Sequence, residues 1–182
     1  IVVSYATNAA SGWKVTRETE GAEWKLADLK ATELVDTNKL SALGSPLSSP
    51  SFSDVVADPK PDKLGLDKPA TLKLETFDGF TYTAKAGTAS GDNYPLTIAV
   101  TANFPKARTP AKDEKPEDKA KLDKEFADAQ KKLADKLAAD SKFAKWTYLV
   151  SKWTLDSVLK SRADLLVEKK PDPTPATKPP VK

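Results

Sequence analysis

Apolar positions alternate with polar ones in several stretches of the chain, and each such stretch reads as a half-buried strand. Trp13 and Val15 alternate with polar neighbours, as do Trp24 and Leu26, and Glu20-Gly21-Ala22 lies between them, so a hairpin is predicted over Gly12 to Ala27. Leu72 and Leu74 alternate with Lys73 and Glu75, and Phe80, Tyr82 and Ala84 alternate with Thr81 and Thr83. A two-residue Asp78-Gly79 loop would place Leu74 opposite Thr83 and send the two apolar sets to opposite faces. A three-residue loop, Phe77-Asp78-Gly79, pairs Leu74 with Tyr82 and Leu72 with Ala84. This second register is the expected one, with Gly79 in the left-handed position of a bulged turn. Tyr94, Leu96, Ile98, Val100 and Ala102 make the cleanest strand signal. Pro95 lacks a ladder donor, so the start of that strand is expected at a sheet edge or in an unpaired register. Shorter strands are expected over Phe52 to Ala57 and over Lys145 to Ser151, the latter with Trp146, Tyr148 and Val150 on one face.

Between these strands the period changes from two to between three and four. Asp36 or Thr37 can cap a short helix in which Leu40, Leu43 and Leu47 share a face, with Gly44 and Pro46 stopping it and Ser48-Ser49-Pro50 forming a loop. From Pro105 the composition turns to Lys, Asp, Glu and Ala. Leu122, Phe126, Ala129, Leu133 and Leu137 then recur at helical steps, predicting a helix from about Glu117 to Ser141 supported by the pairs Glu117–Lys121 and Asp128–Lys132. Its apolar strip is narrow. The expectation is that the helix lies along its own sheet; the alternative is a coiled-coil-like contact with a partner. A closing amphipathic helix is predicted with Thr154 as its N-cap and Leu155, Val158, Leu159, Arg162 and Leu165 or Leu166 along one side. Residues 168–182 are rich in Pro and Lys and are expected to be a disordered tail. The whole reads as one α+β domain over residues 1–167: an antiparallel sheet with helices packed on one face and a charged helical insertion at about 105–142.

Composition narrows the chemistry. The chain has 182 residues, 39% hydrophobic and 30% charged, which suits a globular domain with a buried core. It contains no Cys and no His, so it can form no disulfide, no Cys/His zinc site, no thiol nucleophile and no serine-histidine couple. Its 29 basic residues are interleaved with 26 acidic ones, and Lys131-Lys132 and Lys169-Lys170 each have acidic neighbours, so nucleic-acid binding is not expected. No apolar run approaches the roughly 20 residues of a membrane span. Residues 1–8 lack the order of a signal peptide, and the sequence opens on Ile1 with no Met anywhere, so a longer native chain with an upstream segment is expected.

The four tryptophans are the conspicuous recognition candidates, because exposed indoles can stack on sugars or bases. The competing account is burial, and it is the expectation here. Candidate binding residues are Trp13 and Trp24, with Phe126 and Leu133 on the charged helix. Glu23, Glu75 and Asp78 are carboxylates that nothing in the sequence marks as coupled. No EF-hand loop or phosphate loop is present, so no catalytic residue, metal or cofactor is expected, and the chain is not expected to be an enzyme.

The order of segments carries a resemblance. Gly12-Trp13-Lys14-Val15 and Glu23-Trp24-Lys25-Leu26, then Leu64 to Pro69 leading into Leu72-Lys73-Leu74 and Asp78-Gly79, and finally Thr147 to Ser151 followed by Leu155 to Leu166, resemble the bacterial domain-of-unknown-function family numbered 4340. Some of its members are similar to auxiliary components of gliding-motility ABC transporters. The resemblance spans about Gly12 to Val167 and includes no catalytic motif; between about Phe104 and Phe143 a charged helix replaces a short connection. It implies an exported domain of the cell envelope, anchored through an N-terminal membrane segment, that serves as a non-catalytic interaction or scaffolding module with a protein partner, such as an ABC transporter component. A glycan- or small-ligand-binding domain using exposed tryptophans is the alternative.

Overall fold

The computed structural model describes residues 1–44, 51–110 and 114–167. The expectations for Pro46, Leu47, Ser48 to Pro50, Lys169-Lys170 and the tail 168–182 lie outside the described residues. Strands β1 (Val2–Tyr5), β2 (Trp13–Thr16), β3 (Lys25–Leu26), β4 (Asp54–Val55), β5 (Ala70–Glu75), β6 (Phe80–Ala86), β7 (Asn93–Ala102) and β8 (Thr147–Ser151) form one eight-stranded sheet in the order β3-β2-β1-β5-β6-β7-β8-β4. Every pairing is antiparallel. The helices are α1 (Thr37–Ser41), α2 (Pro116–Asp140) and α3 (Lys152–Asp156). The architecture is α+β, as the alternating strands require.

The β5–β6 hairpin has the three-residue register, with Leu74 opposite Tyr82 and Leu72 opposite Ala84. Gly79 takes φ +86°, and a Cβ there would come within 2.6 Å of the Asn103 carbonyl oxygen, so both conformation and space call for glycine. Cross-strand rows then follow from the pleat. Trp13, Val3, Leu72, Ala84 and Ile98 line up across five strands on one face. Ser4, Thr71, Lys85, Thr97 and Thr147 line up on the other.

On the apolar face, Ile1, Val3, Trp13, Val15, Leu26 and Leu72 bury against Leu40 and Leu43 of the α1 region and against Val158 and Leu165. A second cluster joins Ala86, Leu96, Tyr148, Val150 and Leu155, with Phe52 stacked on Tyr148 at 4.1 Å between centroids. Helix α1 begins where expected: the Asp36 carboxylate accepts from the N–H groups of Asn38 and Lys39.

Several expectations are corrected. Strand β1 was not foreseen, yet it sits in the sheet interior between β2 and β5. Pro95 lies on an inner strand and not at an edge, and of the two expected placements it takes the other, a register beyond the last β6 pair, Ala86–Leu96. Its carbonyl accepts from Gly87, and since N and O of a strand residue address the same neighbour, its missing donor faces the point where β6 ends at Ala86. The closing helix is not continuous. Ser151, not Thr154, caps α3, and the chain turns before a 3-10 turn at Arg162–Leu165 that carries its own Ser161/Asp164 capping box. The break frees the Lys160 carbonyl, which in a continued helix would serve Asp164 and here accepts from Tyr5 Oη at 2.9 Å and Trp13 Nε1 at 2.7 Å.

Helix α2 meets its own sheet near its C-terminal end. Leu122, Phe126, Leu133 and Leu137 are half-buried, while Ala129 is exposed and Gln130 takes its place in the strip. At its end, Tyr82 Oη donates to Asp140 at 2.7 Å and Lys136 Nζ sits 3.8 Å from the Phe80 ring centroid. Near its start, Arg108 bonds Asp123 and Glu114. The helix-surface pairs formed are Lys119–Asp123, Lys121–Glu125, Lys131–Asp135 and Lys136–Asp140, not the two expected. Asp123 and Asp140 are also held from outside the helix, by Arg108 and Tyr82, and that favours their pairing.

Candidate functional site

The tryptophans divide into two kinds. Trp13 is 5% exposed, its indole N–H spent on the Lys160 carbonyl, so this candidate binding residue is a core residue. Trp24 is half-buried. Trp146 and Trp153, which were expected to be buried, are 54% and 90% exposed. Trp146 immediately precedes β8, where the chain leaves the 3-10 turn Ser141–Lys145 and its ring escapes the row that buries Tyr148 and Val150. Trp153 lies in the first turn of α3, where it does not serve as an apolar staple and points away from the core built by Leu155 and Val158. Two indoles thus flank the sheet's last long strand. Phe126 and Leu133, the other candidates, are half-buried on α2 and far along the chain from either indole.

Trp24 belongs to a cleft of about 840 Å³ whose lining includes Ile1, Val15, Arg17, Leu74, Glu75 and Phe77. Arg17 was not among the candidates, since one Arg in a Thr-Arg-Glu loop looks like a solvated charge. Its guanidinium carbon stands 4.6 Å from the Trp24 centroid and 5.9 Å from that of Phe77, a stack that shields it from water. Nη1 donates to the Glu20 carbonyl at 2.6 Å, and Nε is buried with no hydrogen-bond partner. Glu75 and Asp78 both line the cleft, but each is engaged: Lys73 Nζ donates to Glu75 at 2.6 Å and holds its carboxyl below the usual range, and the Thr76 hydroxyl donates to Asp78. Glu23 is exposed and does not line it.

Elsewhere the polar groups are structural. Arg162 grips Glu33 through both nitrogens at 2.9 and 2.8 Å and also donates to the Asp28 carbonyl, tying the loop after β3 to the last turn. Those bonds, with the Lys30 N–H, bring Glu33 down to about 2. Among the described residues no group of three or more carboxylates lies close enough to hold a metal ion, and no helix is long and apolar enough to cross a membrane. No family model, curated protein or solved structure matches the chain.

Proposed function

We propose that this chain is a non-catalytic interaction module of the bacterial cell envelope, accessory to a membrane transporter complex through a protein partner, as the resemblance noted above implies. The single observation that carries the interaction reading is the exposure of Trp146 and Trp153 at either end of β8. An exposed indole is a costly surface residue and a common anchor of protein interfaces. The two rings flank a five-residue strand, and at about 3.3 Å per residue they stand too far apart to clasp one small ligand between them. That spacing favours a partner surface over the glycan or small-ligand alternative. The test is capture from envelope extract with the intact, membrane-anchored protein and with a Trp146→Ser/Trp153→Ser variant. A membrane-protein partner retained by the first and lost by the second supports the reading; identical captures from both oppose it.

A further inference from the structure

Among the described residues, every hydrogen bond between helix α2 and a strand falls in the last turns of the helix. Tyr82 Oη donates to Asp140 at 2.7 Å. Lys136 Nζ donates to Tyr82 Oη and, at 2.9 Å, to Asp140, while lying 3.8 Å from the Phe80 centroid. No residue of α2 is fully buried. Near its start Arg108 binds Asp123 and Glu114, which ties the lead-in to the helix and neither of them to a strand.

The helix carries its own support. Its 25 residues exceed the roughly 12–15 below which an isolated helix is marginal. Pro116 opens it, Glu117 and Asp118 complement the dipole in its first turn, and four pairs spaced by one turn lace its surface. All of these are internal to the helix, so they persist when it leaves the sheet. What holds its end in place is the 3-10 turn Ser141–Lys145, which lies against β7 and whose Phe143 packs edge-on to Phe52 and Tyr148, 6.3 Å from each centroid. The change from α to 3-10 winding after Asp140 is a ready pivot. The chain leaves β7 for α2 and returns into β8, and these strands are neighbours, so the helix can swing without breaking a strand pair.

We propose that α2 is a lid, which pivots at Asp140–Ser141 and lifts from the sheet as an intact helix. Opening uncovers the ring of Phe80, which is buried when the lid is closed and packs edge-on to Phe104 at 5.2 Å between centroids. The latch is the group Lys136, Tyr82 and Asp140, in which one ammonium bridges a carboxylate, a hydroxyl and an aromatic face. Because its lysine is half-exposed, salt screens the latch and ionic strength sets how far the lid is open. The lid stands apart from the partner reading, which rests on Trp146 and Trp153.

The test uses the full chain, whose lack of cysteine allows two labels to be placed without background. Nitroxides on Ala127→Cys of α2 and Lys85→Cys of β6, both exposed positions, report the separation of lid and sheet by pulsed electron resonance. One separation is expected to dominate at about 50 mM NaCl, and a second to grow at about 1 M. At low salt Lys136→Gln is expected to raise the ratio of the second to the first about fivefold, the weight of one half-exposed ion pair, and Lys136→Arg, which keeps the cation, to leave it near the parent's. Amide exchange in β6 and β7 is expected to stay slow throughout. A single separation under every condition overturns the proposal, as does a second one that grows equally in Lys136→Arg and Lys136→Gln, or one that emerges only as the β6 and β7 amides lose protection.

Discussion

The indole N–H of Trp13 and the hydroxyl of Tyr5 share one acceptor, the backbone carbonyl of Lys160, at 2.7 and 2.9 Å. The bonds join the second strand and the first to the chain's closing segment. Either donor alone can satisfy that carbonyl, which is expected to make the pair redundant. Tyr5→Phe is expected to cost about 1 kcal/mol and Trp13→Phe about 1–2 kcal/mol, the latter including lost packing. The double variant orphans the carbonyl and should cost more than the sum. Urea unfolding of the four proteins checks this, and additivity within about 0.5 kcal/mol would refute the shared-acceptor account.

That junction also marks where reading the sequence stopped short. The apolar period from Leu155 to Leu165 is genuine, and Leu155, Val158 and Leu165 are all buried, but periodicity does not disclose that Lys160 must turn its carbonyl to Trp13. The β5–β6 register was legible because a short turn forces it, and α2 because its strip lasts several turns. β1 was not, since Val2–Tyr5 is four residues with no turn signal before it, and its place between β2 and β5 is a long-range order that no local pattern encodes. The cleft inherits that blindness: Arg17 meets Trp24 and Phe77 only once the strands around it are placed. Alternation around Trp146 placed Tyr148 and Val150 in the core but did not disclose that Trp146 itself is exposed.

The Glu33–Arg162 clamp predicts acid sensitivity. Glu33 is lowered from 4.5 to about 2, chiefly by the Arg162 hydrogen bonds and then by the Lys30 N–H. A carboxylate depressed in the folded state stabilises fully above its unfolded value, and that contribution is lost as pH falls through the folded one. The urea midpoint of the parent chain is therefore expected to fall towards that of a Glu33→Gln variant between pH 4.5 and about 2, and to stay constantly above it between pH 5 and 8. A gap that does not narrow in acid would mean that the clamp is not formed in solution. At the alkaline end, burial and the bond to Asp156 push Tyr94 up to about 12, so its contribution should be intact below pH 10 and lost as pH rises from there through about 12.

Helix α2 has no fully buried residue, so its grip on the sheet must be intermediate. Phe126→Ala is expected to cost about 2 kcal/mol, below the roughly 3–5 kcal/mol of a fully buried aromatic and above the roughly 0.5 kcal/mol of a surface position. Chemical denaturation decides it. A cost near zero would show the strip to be unpacked in solution and would make Phe126 and Leu133 a partner surface after all.

The most direct test of the interaction reading is photo-crosslinking from the position of Trp153. A benzoylphenylalanine placed there in the protein expressed in cells, and a control placed at Ala120 on the exposed face of α2, are irradiated and resolved by size. The account predicts one discrete adduct with a membrane protein from position 153 and none from position 120. Adducts of equal yield from both positions, or none from 153, would contradict it.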